Sequence, residues 1–344
     1  MIHKKKSFAS LFIAMLVLSM VFTSCASAAE ENVEIESDEV LIEEDSGFDS
    51  ANEVSVKSYN TDVPYWYFLE ADKDQQKTLL KYIDDCYSST KEKNEMKKAI
   101  KDIWKRYPGD LTEEDMAVLE QIDIATDEYL SDMYGTTGDI SVKWTATPHR
   151  EMTRIAVKKW GITDTYADIA AEAADDPDEW IHTPYSHYYD PDTGYGTADE
   201  NCDDHATIAA AYYDASQLSA AYTELGYASH FLVDVGNPLH TGMVSEQVLH
   251  QWVHEDYEQY VYQNWDDGFE DIVSGNNYYI SISDPEDAAQ DLASYSNGYL
   301  SSLWMHIYYN PSTWESSSTV EDITENVLLK SAKYNMGLVK YMRS

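Results

Sequence analysis

Five side chains able to bind a metal lie in one stretch, HFLVDVGNPLHTGMVSEQVLHQWVHEDYE, running from His230 to Glu258. His230 and Asp234 are four apart, as are His254 and Glu258. On an α-helix that separation puts both side chains on one face, one turn apart. His240 comes just after Gly236 and Pro238, which predict a helix stop and a turn between the two pairs. Two helices meeting at such a turn would aim imidazoles and carboxylates into one pocket, a donor set that zinc accepts. Taken alone, any one pair reads more readily as a surface histidine beside an acid. Crowding of these donors among apolar residues is what favours a metal site.

The elements that must position these groups read as helices. WTATPHREMTRIAVKKWG predicts a helix from Pro148 to Gly161, with His149 in its first turn. TYADIAAEAADD predicts another, ending at Pro177 and leaving Asp175 and Asp176 at its C-terminal end. A long loop crowded with aromatics, prolines and acids follows, and helix resumes at about His205. After the opening stretch, amphipathic segments follow Asp284-Pro285 and Thr319, and VSGNNYYISIS is the one strand candidate. The expected fold is all-α, a multi-helix bundle whose ligands project inward from helices and one loop.

Upstream, residues 1–28 have the charged start, apolar run and Ala26-Ser27-Ala28 site of a secretory signal peptide, predicting an exported protein that begins at Ala29. The alternative is a lipid anchor on Cys25 at the cell surface, although Phe22 stands where a lipoprotein signal usually has Leu. No later segment approaches the ~20 apolar residues that span a bilayer. Residues 29–60 read as an acidic disordered linker, and 61–143 as a small helical pro- or accessory segment. A further domain occupies 144–344. Cys86 and Cys202, too few for a disulfide scaffold, could pair in an oxidising compartment.

The net charge is −40, and no Lys or Arg occurs between Lys159 and Lys330. Such a surface repels nucleic acid and anionic lipid unless metal ions reverse the field locally, though excess acid also serves solubility alone. Asp190, Asp192 and the acids of DENCDD are oxygen donors suited to calcium, with a solvated acidic loop as the default reading.

With His149, Asp175, His187 and the 230–258 stretch in view, residues 144–344 resemble the zinc-dependent phospholipase C family, that is, bacterial phospholipases C and alpha-toxin-type enzymes. The kinship extends distantly to the zinc nucleases specific for single strands. SHYYDPDTG around His187 is similar to the family's loop-histidine segment, and HFLVDVGNPLH to its His-x-x-x-Asp followed by Pro-x-His. The resemblance implies a buried site for up to three zinc ions. One would take Asp175, His187, His230 and Asp234; a second His240, His254 and Glu258; a third His149, a shared Asp234 and an N-terminal Trp. The matching residue, Trp144, lies inside this chain. Either cleavage after Lys143 exposes it and 29–143 is a propeptide, or the chain stays intact and the third ion lacks its amine ligand.

The implied activity is hydrolysis of the glycerol–phosphate bond of phospholipids by a zinc-activated water, with Asp175 as general base. A monomer making transient membrane contact is expected. The family's headgroup aromatics fall at Asp176 and Pro184 here, and neighbouring Trp180 and Tyr185 could substitute through cation–π contact, with plain packing as the competing reading. His182, His205, His250 and His306 have no counterpart in the family. Two other classes stay open: a zinc nuclease, disfavoured by the lack of basic residues, and a non-catalytic metal-binding surface protein.

Overall fold

The computed structural model describes residues 41–44, 56–57, 59–61, 63–134, 146–180, 184–242 and 251–344. The signal peptide, Cys25, most of the acidic linker, the Lys143–Trp144 junction, His182 and His250 lie outside them. Local chemistry opens the first helices. After one turn of helix, α1 (Trp66–Leu69), Asp72 accepts from the N–H groups of Asp74 and Gln75 while the Gln75 side chain accepts from the Asp72 N–H. That capping box starts α2 (Lys73–Cys86). Ser89 caps α3 (Thr90–Arg106), and Thr112 and Asp115 cap each other at the start of α4 (Glu113–Tyr134).

Asp115 carries one further load. Both its oxygens take the Arg106 guanidinium, at 2.9 and 2.5 Å, which together with the Thr112 N–H holds the carboxyl well below the usual range. A lowered folded pKa means the stabilisation is complete above about pH 4 and is lost as acid protonates the group. Asp115→Ala is expected to cost about 1–2 kcal/mol, as for a lost helix cap, and to flatten the acid limb of stability against pH. Thermal melts from pH 7 to pH 3 check this; an unchanged acid limb would count against it.

The remaining helices are α5 (Ala146–Lys159), α6 (Asp164–Ala173), α7 (Ala198–Asp214), α8 (Leu218–Gly236), α9 (Gln251–Gln263), α10 (Glu270–Gly275), α11 (Pro285–Tyr309) and α12 (Ser318–Met342). The fold is all-α in its layers. α5 starts at Ala146 and not Pro148, and α7 starts at Ala198 and not near His205. The acids read as loop, Asp199 and Glu200, instead fill the first turn of α7, where the helix dipole favours negative charge. Strands are short: β1 (Ile42–Glu44) pairs in parallel with β4 (Tyr278–Ile280), and β2 (Tyr189–Asp190) antiparallel with β3 (Tyr195–Gly196). β1 lies inside the stretch expected to be a disordered linker. Its acids find cations on α12, Glu44 with Lys333 at 2.6 Å and Glu43 with Lys340 at 3.3 Å.

Alanine and glycine let α6 and α8 approach closely. Ala167, Ala170 and Ala171 are fully buried on α6, and a Cβ at Gly226 of α8 would sit 2.3 Å from the Ala170 carbonyl oxygen. The described residues belong to one compact unit. The N-terminal helices share its core: Trp66, Tyr67, Phe68, Leu79 and Leu119 are buried in one cluster with Val233, Trp252, Trp304 and Val327. A second cluster joins α5 to α8 with α11 and α12. Cys86 and Cys202 are both free, Cys202 fully buried, so no disulfide ties the halves together. No described helix is long and apolar enough to cross a membrane.

Candidate metal centre

α8 supplies the centre of the site. Every residue of it from Ala228 to Gly236 is buried, and its i, i+4 pair is realised as the spacing requires: His230 Nε2 lies 3.1 Å from Asp234 Oδ2. The helix stops at Gly236, where a Cβ would meet the Ser331 hydroxyl at 2.0 Å. Asn237 then accepts from the Leu239 N–H, and Pro238 opens a short 3₁₀ turn, Pro238–His240, that swings His240 back. From α9, His254 Nε2 and Glu258 Oε1 stand 2.8 Å apart, again i, i+4. His149 comes from α5, which is pinned to α8 by a 2.6 Å hydrogen bond between the Thr153 and Ser229 hydroxyls. His187 ends the 3₁₀ turn Pro184–His187.

Two triangles of donor atoms result. In one, His187 Nδ1, His230 Nε2 and Asp234 Oδ2 are separated by 2.9, 3.1 and 3.1 Å. In the other, His240 Nε2, His254 Nε2 and Glu258 Oε1 are separated by 2.8, 2.8 and 3.1 Å. Asp234 joins further neighbours through its second oxygen: Oδ1 lies 3.4 Å from His149 Nε2 and 3.5 Å from His240 Nδ1. All are buried or nearly so, with His230 at 0%, His149 and Glu258 at 1% and Asp234 at 2% exposure.

These atoms fit a cation. His230 Nδ1 faces the Ala174 carbonyl oxygen at 2.8 Å, and His240 Nδ1 faces that of His187 at 3.1 Å. A carbonyl only accepts, so both rings carry a proton on Nδ1 and turn Nε2 inward. His254 Nδ1 faces the Tyr188 hydroxyl at 3.4 Å, and its Nε2 faces that of His240. Two imidazole nitrogens 2.8 Å apart need a proton or a cation between them. Zinc with bonds of about 2.0–2.1 Å sets tetrahedral ligand atoms about 3.3 Å apart, close to the observed triangles. Glu258 Oε2 is buried with no hydrogen-bond partner, which leaves a second oxygen for the same ion. The carbonyl contacts are the outer partners that orient metal-binding histidines. Among the described residues three groups could hold an ion: His149 with His230 and Asp234; Asp178 with His187 and His230; and His240 with His254 and Glu258.

Charge is arranged to match. Burial alone would raise the Glu258 and Asp234 carboxyls, yet the imidazoles packed against them hold both below their ordinary values. Burial lowers the His149 imidazole, with His230 adding to the effect. Burial works against a charged His230 too, but Asp234 and Asp178 outweigh it and push that ring up to about 9.

Placement of the expected residues differs in one respect. His149, His187, His230, Asp234, His240, His254 and Glu258 come together, while Trp144 lies outside the described residues. Asp175 is not in any of the three groups. Its carboxylate lies 3.5 Å from Arg150, and burial pushes it up to about 7. The carboxylate that reaches His230 and His187 is Asp178, three residues on, in the 3₁₀ turn Asp176–Glu179; its Oδ1 is 3.9 Å from His230 Nε2. The run Asp175-Asp176-Pro177-Asp178 offers carboxylates at neighbouring positions, and only the turn after α6 selects among them. Tyr188 was also missed; its ring stacks on His240 at 4.6 Å.

Asp176 accepts from the Tyr227 hydroxyl at 3.1 Å, and Trp180 packs edge-on against Tyr227 at 4.8 Å. Tyr185 is 38% exposed and meets Tyr195 edge-on. His205 pairs with Glu224 at 2.7 Å, and His306 donates to the Ser302 carbonyl. Asp190, a calcium candidate by sequence, spends its oxygens on the Asp192 N–H and the Thr193 hydroxyl of its own turn.

No family model matches the chain, and no curated protein does. Among solved structures it is similar to the alpha toxin from Clostridium absonum. The identity is 15%, the match covers 60% of this chain, and the TM-score is 0.43. The chain spans 65% of that structure's length. A likeness at that level adds nothing to the site, which stands on its own donor geometry.

Proposed function

We propose that the chain is a secreted zinc-dependent phosphodiester hydrolase of the phospholipase C kind, cleaving the glycerol–phosphate bond of phospholipids. The observation that carries the reading is the pair of donor triangles joined through Asp234, with His149 on its far oxygen. Clustered zinc at such a site neutralises phosphate, lowers the pKa of bound water and stabilises the leaving oxygen. The chain's own part is to hold donors rigid and dry. α8 and α9 fix two pairs by helical register, and the Ala174 and His187 carbonyls keep ring protons facing outward. Asp178 is proposed as the fourth donor of the His187–His230–Asp234 group, in the place the family resemblance suggested for Asp175. Asp175, beside it, keeps the proposed role of proton acceptor. Asp176, Trp180 and Tyr185 are proposed to border the substrate.

Residues 1–28 are proposed as the export signal, and cutting after Lys143 as the step that would supply the Trp144 amine. The test is hydrolysis of phospholipid vesicles and of single-stranded DNA by purified protein, with and without chelator. Chelator-sensitive release of diacylglycerol is expected, and His254→Ala is expected to lower it at least about 100-fold with helical content retained. Cleavage of DNA alone would replace the reading by a nuclease. Chelator-insensitive protein without hydrolysis of either substrate would end it.

A further inference from the structure

Beside the metal ions, residues 144–344 offer few side-chain cations that a substrate phosphate could reach. From residue 160 to 329 there is no Lys or Arg at all. Of the cations at the C-terminal end, Lys330 lies over the Tyr295 and Tyr334 rings, Lys333 and Lys340 pair with β1, and Arg343 lies over the Trp160 ring. Lys159 donates to Asn277. What remains is a ladder between α5 and α6 at four-residue intervals: Lys158 with Asp164 at 2.8 Å, Arg154 with Asp168 at 3.3 Å, Arg150 with Asp175 at 3.5 Å.

The lower two rungs are ordinary pairs between neighbouring helices. The top rung differs in where it stands. Arg150 follows His149, whose ring stacks on His230 with centroids 4.3 Å apart. Its partner Asp175 follows Ala174, whose carbonyl receives the His230 Nδ1–H. Both members of the rung are thus one residue from groups that touch His230. The Arg150 side chain is 38% exposed and makes a single N···O contact longer than a charged hydrogen bond. Asp175 Oδ1 is buried without a hydrogen-bond partner, so the pair is not closed as a bidentate bridge. A guanidinium held this loosely keeps its forked N–H pairs for a planar set of phosphate oxygens.

We infer that Arg150 grips a non-bridging oxygen of the substrate phosphate at the edge of the metal centre, with Asp175 as its resting partner. This rests on the hydrolase reading above. It does not follow from the ladder alone, since Arg154 occupies an equivalent rung one turn away and supplies the control.

The test is binding of inorganic phosphate to full-length, zinc-loaded protein by calorimetry, with zinc content measured on the same samples. Arg150→Met is expected to weaken phosphate binding about 10-fold or more at unchanged zinc content, Arg150→Lys to recover part of it, and Arg154→Met to leave it unchanged. With phospholipid, Arg150→Met should raise KM more than it lowers kcat. Wild-type protein that does not bind phosphate, equal binding by Arg150→Met, or equal weakening by Arg154→Met each overturns the inference, as does zinc loss in Arg150→Met, which marks a structural role. Arg150-dependent phosphate binding by a protein that hydrolyses no phosphodiester would leave the inference standing and remove the hydrolase reading.

Discussion

An Asp234→Asn variant is expected to lose metal from more than one position at once and to fall at least about 100-fold in any metal-dependent activity. The carboxylate stands within 3.5 Å of ring nitrogens from His149, His187, His230 and His240, which reach it from α5, a loop, α8 and the turn after α8. An amide has the same shape and no charge. It would remove the charge that those imidazoles face and leave the cations without their shared anion. Because ligands that bind only the folded state add about 4 kcal/mol at a thousandfold excess over Kd, the loss should also lower thermal stability measured in zinc. In chelator the variant and the parent should melt closer together. Elemental analysis, melting in zinc and in chelator, and the vesicle assay read these effects. Full zinc content with near-normal activity in Asp234→Asn would rule out a shared ligand.

A second large effect is expected from removing the N-terminal helices. A protein made as 144–344 is expected to be molten or aggregated, whereas a chain cut after Lys143 is expected to stay together as two fragments. Trp66, Tyr67, Phe68 and Leu69 are all at most 4% exposed, and Tyr67 and Phe68 pack on Trp304 and Tyr308 of α11 with ring centroids about 6 Å apart. The contact is also hydrogen-bonded: Tyr82 donates to the Tyr308 carbonyl, Tyr308 to Thr126 and Tyr309 to the Tyr67 carbonyl. Burying those first four side chains is worth roughly 1.5–3 kcal/mol each, a sum comparable with the whole stability of a typical domain. Deletion would also strand buried tyrosine hydroxyls without partners. Soluble, monomeric 144–344 with a cooperative melt and a native near-ultraviolet spectrum would refute this. The consequence for the proposed processing is that a cut would nick the protein and leave the helical segment in place, so activation could not depend on its departure.

Much of the site was legible because its candidate donors come in helical pairs. His230 with Asp234 and His254 with Glu258 needed only the four-residue period, and Gly236-Asn237-Pro238 announced the turn that carries His240. The last two long helices were likewise readable, since Asp284 and Pro285 mark one start and the apolar period runs unbroken through Met342. Less legible was the start of α7, where acids that look like loop serve as the first turn of a helix. The strand at Ile42–Glu44 was hidden for a similar reason. Its acids look unable to pack until Lys333 and Lys340, nearly the whole chain away, come alongside.

By itself the sequence determined the helical class, the donor types and the pairs one turn apart, because α-helix geometry converts spacing into shared faces without further information. Only the tertiary structure decided which donors meet across elements. The turn after α6 brings Asp178 and not Asp175 to His230, and the approach of α5 places His149 on the second oxygen of Asp234. It also joined the N-terminal helices to the core of α11, through residues more than two hundred positions apart. Such contacts depend on how helices pack and where loops turn, and no local period encodes either.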